Sequence, residues 1–277
     1  MKMTGLLMGM RYGVTCPYSS CVGSLIEQYR CRYAPILKLI PKQGTLDEEN
    51  EILLMHFQRA ITALKIRALD LGAMVEEQLR VSVRAIEERD EDLAQRVFQN
   101  DDQIDNGEVE IEEECLKMLA LYHPVAEDLR FIVAVLKINN DLERIGDVAV
   151  NIAERAVFLA NRPPIQTRMS FSTMAEKVQQ MLKMSLDALV DRDTDRAYLV
   201  IAADDEVDAL NRQSYIDVQD GIMQHPRETP DLLHLLSVSR HLERIGDLAT
   251  SIAEEVIYLV RGEIVRHRLE DYLGSTY

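Results

Sequence analysis

The chain has 277 residues, 47% of them apolar, which suffices for a buried core in one large domain or two small ones. Its 47 Asp and Glu against 31 Lys and Arg give a formal net charge of −16, a balance that excludes the basic face a nucleic-acid binder needs for phosphates. No run of about 18 apolar residues occurs that would span a bilayer, and cations or basic partner surfaces are the expected counterparts of so acidic a chain.

In chain order, residues 1–54 form an N-terminal extension with no assigned role. The stretch "MKMTGLLMGMRYGVTCPYSS" opens on Lys2 and a short apolar patch, but Arg11 interrupts it and no clean small-residue cleavage site follows. It is therefore not read as a secretory leader. Cys16, Cys21 and Cys31 match no zinc-ligand spacing and are expected to be unpaired cytosolic thiols in a loose segment. Pro41 and Gly44 then give way to long helical periodicity, and the ordered body is expected to begin close to Met55.

From there to about Leu259 apolar residues recur every three or four positions, Ala, Leu, Glu and Arg abound, and Gly and Pro are scarce. Breaks at "ERDED" (88–92), "YHPVAED" (122–128), "NRPPIQT" (161–167), "DRDTD" (191–195) and "QHPRETP" (224–230) divide this body into six predicted helices. Cys115 falls inside the helical pattern, where a small hydrophobe is expected. Residues 263–277 form a tail.

The breaks repeat. Arg89-Asp90-Glu91-Asp92 resembles Arg192-Asp193-Thr194-Asp195, "DDQID" at 101 resembles "DDEVD" at 204, and His123-Pro124 answers His225-Pro226. "DLERIGDVAVNIAER" from 141 returns as "HLERIGDLATSIAEE" from 241. The expected fold is all-α, with two tandem three-helix bundles over residues 55–161 and 168–262, joined near Pro163-Pro164.

On a helix at about 100° per residue, Asp147, Asn151 and Glu154 fall within about 80° of Glu143, while Ile138, Leu142, Ile145, Ala149 and Ile152 cluster on the opposite face. Glu243, Asp247, Ser251 and Glu254 repeat the pattern, so these acidic residues are expected to face away from the core. Gly146 and Gly246 sit at the margin of the apolar face, where a neighbouring helix can approach closely.

Like charges at i, i+4 cost a few tenths of a kcal/mol without a neutralising cation, yet such pairs stand at 101/105, 143/147, 204/208 and 243/247. Asp105 lies 18 residues before His123 and Glu143 lies 19 after Pro124, so at about 1.5 Å per residue both are level on antiparallel helices. Asp208 and Glu243 are equally placed about the second turn. Four carboxylates at one height would make a hard oxygen site for Mg²⁺, Mn²⁺, Ca²⁺ or oxidised iron. A purely structural alternative has the duplicated Arg144 and Arg244 neutralise them as salt bridges.

"LERIGD" twice, within two three-helix repeats, together with "MHFQRAITALK" at the expected domain start and "HPVAEDLRFI" after the second helix, resembles the PhoU family of bacterial phosphate-uptake regulators over about residues 55–262. The resemblance implies a cytoplasmic, non-enzymatic, homodimeric adaptor that restrains the phosphate-starvation response. Its implied partners are the transporter ATPase PstB and the sensor histidine kinase PhoR. It also implies metal ions (Mg, Mn, Fe or Zn, with the identity open) on Asp101, Asp105, Glu143 and Asp147 in the first unit, and on Asp204, Asp208, Glu243 and Asp247 in the second. The second turn departs from the first in reading "HPRETP", and the residues before Met55 have no counterpart in the family pattern.

An enzyme of the di-iron carboxylate-bundle type is the alternative. It needs Glu-x-x-His from two helices with inward-facing ligands, whereas none of the six His has that spacing and the carboxylates are expected to face outward. No Gly-rich phosphate loop is present, and no Ser-His-Asp or Cys-His arrangement can be inferred.

Overall fold

Every proline of the described region falls at a break or at the first residues of a helix, so each helix runs on until a turn or capping residue stops it. The computed structural model describes residues 48–167 and 171–265. The readings made above for residues 1–47, Cys16, Cys21 and Cys31 among them, and for 168–170 and 266–277 lie outside the described residues.

Among the described residues six helices follow one another: α1 (Glu48–Glu88), α2 (Glu91–Tyr122), α3 (Ala126–Ala160), α4 (Phe171–Asp191), α5 (Thr194–Gln224) and α6 (Thr229–Arg261), with a 3₁₀ turn at Pro226–Glu228 leading into α6. Helix α1 begins at Glu48 rather than near Met55. The intervening sequence holds good helix formers and neither Gly nor Pro, so the composition change that marked the expected start lies upstream of it.

The two units reuse one turn design. Asp90 caps α2 by accepting from the amides of Asp92 and Leu93 at 2.8 and 3.1 Å, and Asp193 caps α5 by accepting from that of Arg196 at 3.0 Å. Immediately before each cap an arginine is left-handed, Arg89 at φ 53° and Arg192 at φ 52°, a conformation that costs a non-glycine residue about 1 kcal/mol. Contacts to the other elements hold both in place. Arg89 Nη1 donates to the carbonyls of Arg162 and Pro163 at 3.0 Å each, covering groups beyond the carboxyl end of α3, and Arg192 pairs with Glu127 on the first turn of α3. Arg89→Ala is expected to destabilise the protein by about 1–2 kcal/mol, lowering the melting temperature by roughly 3–6 °C. A melt superposing on wild type would show that water replaces the guanidinium at those carbonyls.

Leu64, Leu71 and Leu79 of α1, Ile104, Ile111 and Met118 of α2, and Ile132, Ile138, Leu142, Ile145 and Ile152 of α3 are fully buried. The second unit packs likewise, and the two share one continuous core. All five residues placed on the inner face of α3 by their spacing are buried. Cys115 is buried, and burial, followed by the charges of Glu114 and Glu112, pushes its thiol up to about 12, leaving an inert hydrophobe.

The central seam runs between α3 and α6, which lie against each other along their lengths. Lys137 crosses it to donate to the carboxylate of Glu255 at 3.1 and 3.3 Å, with its ammonium 5.1 Å from the Tyr258 ring centroid. Toward the other end of the seam, Arg162 Nε donates to Asp231 Oδ1 at 2.6 Å, and the rings of Phe158 and His234 stack with centroids 3.7 Å apart. Among the described residues no helix is long and apolar enough to cross a membrane.

Candidate metal centre

The repeated acidic motifs sit on the hairpins α2–α3 and α5–α6. Close approach within each hairpin depends on one glycine. A Cβ on Gly146 would lie 3.3 Å from Ile104 Cγ2 and 3.9 Å from Asp101 Oδ1, and one on Gly246 would lie 3.4 Å from both Asp204 Oδ1 and Val207 Cγ1. A bare backbone here therefore brings Asp101 and Asp204 against the helix that carries the opposite pair.

The charges couple as antiparallel pairing requires. Burial is the main cause that raises Asp101 above the usual carboxylate range, opposed by a hydrogen bond from Gln78, with Asp105 and then Asp147 adding repulsion. Glu143 is raised by burial first, then by Asp147, Asp105 and Glu108. In the second unit Asp204 is pushed up to about 6 by burial first, then by Asp247, Asp208, Asp205 and Glu243. Glu243 rises for the same reasons, burial ahead of Asp247 and Asp208. Desolvation and then Asp208 raise Asp247, although its outer edge is open to solvent. The first four predicted residues thus form one electrostatic cluster, and the other four a second.

The outward-facing expectation needs correcting. Asp105, Asp147 and Asp247 are exposed, but Asp101, Glu143, Asp204, Asp208 and Glu243 are half-buried in the groove between the hairpin helices. Asn151 and Ser251, which share the acidic stripe, turn instead to their own helix, donating to the carbonyls of Asp147 and Asp247 at 2.8 and 3.1 Å. Arg144 and Arg244 are exposed, and among the described residues neither forms an ion pair with any of the eight carboxylates. Among the described residues only Asp208 has such a partner, Arg212, one turn along the same helix at 3.3 Å.

Three participants escaped the sequence reading. Gln78 of α1 is buried beneath the first cluster and its Nε2 donates to Asp101 Oδ1 at 2.9 Å. Glu108, one turn after Asp105, is raised by burial, Glu112 and Asp105. Asn139, one turn before Glu143, donates from Nδ2 to the Glu108 carbonyl at 2.9 Å and to Glu108 Oε1 at 3.4 Å. The i, i+3 step from Asp105 and the i, i+4 step to Glu143 were the available signals for the last two.

His123 and His225 close α2 and α5, and His234 and His241 lie on α6, with His234 at the seam. The carboxylates as placed do not converge: among the described residues no group of three or more His, Cys, Asp or Glu side chains stands ready to hold one ion. The donor chemistry is nonetheless that of a hard cation site, all oxygen and negatively charged. Rotation of the exposed carboxylates about their side-chain bonds would be needed to bring them onto one ion.

The sequence model of the PhoU domain matches residues 68–156 and again 171–256, once per unit. This chain belongs to the PhoU family. It is 39% identical over 214 residues to the phosphate-specific transport system accessory protein PhoU homolog of Aquifex aeolicus, spanning 77% of this chain and 97% of that one. To the Pseudomonas aeruginosa homolog it is 38% identical over 216 residues, spanning 76% and 88%. The crystal structure of PhoU from Pseudomonas aeruginosa superposes with a TM-score of 0.72 at 38% identity, covering 75% of this chain and 100% of that one. The phosphate transport system regulatory protein PhoU from Streptococcus pneumoniae matches with a TM-score of 0.67 at 28% identity, covering 76% and 99%. As expected, the PhoU fold here is all-α, with six helices in two tandem bundles among the described residues.

Proposed function

We propose that this PhoU-family chain is a cytoplasmic, non-enzymatic adaptor that restrains phosphate uptake and phosphate-starvation signalling. It would act between the ATPase PstB of a phosphate ABC transporter and the sensor histidine kinase PhoR, as a homodimer, with metal ions on its two acidic hairpins. Family membership across both units supports the regulatory half of this reading, since the relatives are named accessory proteins of phosphate-specific transport. The duplicated carboxylate clusters support the metal half. Eight acids in two coupled groups, of which among the described residues only Asp208 forms an ion pair with an arginine, store a repulsion that divalent or trivalent cations would relieve.

The test is genetic. Deleting the gene should derepress phosphate-starvation genes when phosphate is plentiful, and the intact chain supplied in trans should restore repression. An Asp147→Ala/Asp247→Ala variant of equal abundance should fail to restore it. Unchanged expression in the deletion strain would overturn the adaptor reading, and full repression by the double variant would detach the metal sites from it.

A further inference from the structure

We infer that the two acidic clusters differ in kind, an inference that rests on reading them as cation sites. The first is the tighter, higher-charge oxygen site, because Gln78, Asn139 and Glu108 surround it where the second unit has Met181, Ser239 and Asn211.

The substitutions follow from the repeat. At the offset that pairs Asp101 with Asp204, Gln78 pairs with Met181 and Glu108 with Asn211; at the offset that pairs Glu143 with Glu243, Asn139 pairs with Ser239. Gln78 is 1% exposed and Asn139 is 2% exposed. Each spends its amide hydrogens on the cluster, Gln78 on Asp101 and Asn139 on Glu108, while Gln78 Oε1 and Asn139 Oδ1 are buried without a partner. Flipping the Gln78 amide would only set its oxygen against the Asp101 carboxylate. A buried carbonyl lacking a donor costs about 1–3 kcal/mol, and each such group in a native structure calls for an explanation, a bound water or ion among them. Waters on a hydrated cation held by the carboxylates would supply the missing donors, as outer-shell partners do in metal sites.

The second floor offers no such acceptor. The Met181 methyl is 3.8 Å from the position a Gly246 Cβ would take, making that side apolar. Ser239 Oγ donates to Asn211 Oδ1 at 3.0 Å, so both oxygens have a partner. With Asn211 in place of Glu108, the cluster also carries one carboxylate fewer. Charge count and ligand number set the affinity of hard-cation sites, and both favour the first unit.

The experiment is a Mn²⁺ titration of the chelator-stripped full chain, with free Mn²⁺ read by its electron paramagnetic resonance signal. Two classes of site are expected, separated by about tenfold or more in Kd. Asp147→Ala should remove the tight class and Asp247→Ala the weak one. Gln78→Met with Glu108→Asn should merge the classes at the weak affinity, and Met181→Gln with Asn211→Glu should merge them at the tight one. Each swap installs side chains the other unit already packs. If the first swap does not fold, Glu108→Gln alone should still weaken the tight class several-fold. A single class in wild type, or affinities unmoved by the swaps, overturns the inequivalence and leaves the metal reading standing. No Mn²⁺ bound at all overturns both.

Discussion

In chelator-treated protein at pH 7.5, Asp204→Asn is expected to melt above wild type, and saturating Mn²⁺ should reverse the order. Asp204 titrates near 3.8 when unfolded and about 6 when folded, because burial and then Asp247, Asp208, Asp205 and Glu243 oppose its charge. A raised folded value means that the carboxyl supports the fold only while protonated. That contribution is complete below pH 3.8 and is lost as pH rises through about 6. The difference corresponds to about 3 kcal/mol at about 1.4 kcal/mol per pH unit, which solvent screening at this half-open position reduces to about 1 kcal/mol. The neutral asparagine is free of that penalty at every pH. It should gain roughly 2–4 °C over wild type at pH 7.5 and nothing at pH 3.5. A cation at about a hundred times its Kd would stabilise wild type by about 2.7 kcal/mol, and a variant lacking one ligand would receive little of that. If Asp204→Asn is no more stable without metal, the cluster is already neutralised by groups outside it. If the order does not reverse, the carboxylates are not binding the ion.

A second large effect, away from the eight clustered carboxylates, is expected at the seam between α3 and α6. Lys137→Met removes the ammonium to which Glu255 is bonded, and that carboxylate's side chain is 3% exposed. Breaking a buried ion pair from one side typically costs 3–5 kcal/mol, because the buried charge left behind loses a charged donor that water replaces poorly. With Lys137 itself 40% exposed, about 2–3 kcal/mol is expected here, equivalent to roughly 5–10 °C. The methionine keeps most of the aliphatic stem against Tyr258, so the loss reports the charge. Adding Glu255→Gln should recover at least half of it. Equal melting of Lys137→Met and wild type would mean that apolar packing alone holds α3 to α6. A loss undiminished in the double variant would mean that Lys137 acts through packing.

The sequence by itself determined the helices, the turns between them, the duplication and the eight carboxylates of the two clusters. Each of these is written at short range. Asp90 and Asp193 cap the helices that follow them, the prolines mark the breaks, and the apolar spacing along "LERIGD" selects the inward face of α3 and α6. Even the meeting of Asp105 with Glu143 could be read, because residues counted away from a common turn measure height on two antiparallel helices. Counting from a turn says nothing, however, about a third helix whose own turn lies elsewhere. Only the tertiary structure places Gln78 of α1 under Asp101 and brings Lys137 to Glu255 across 118 residues of chain. The depth of the site was decided in the same way. Periodicity put Glu143 and Glu243 opposite the core of their own helix, but the partner helix, drawn in at Gly146 and Gly246, closes over them and sets how strongly their charges repel.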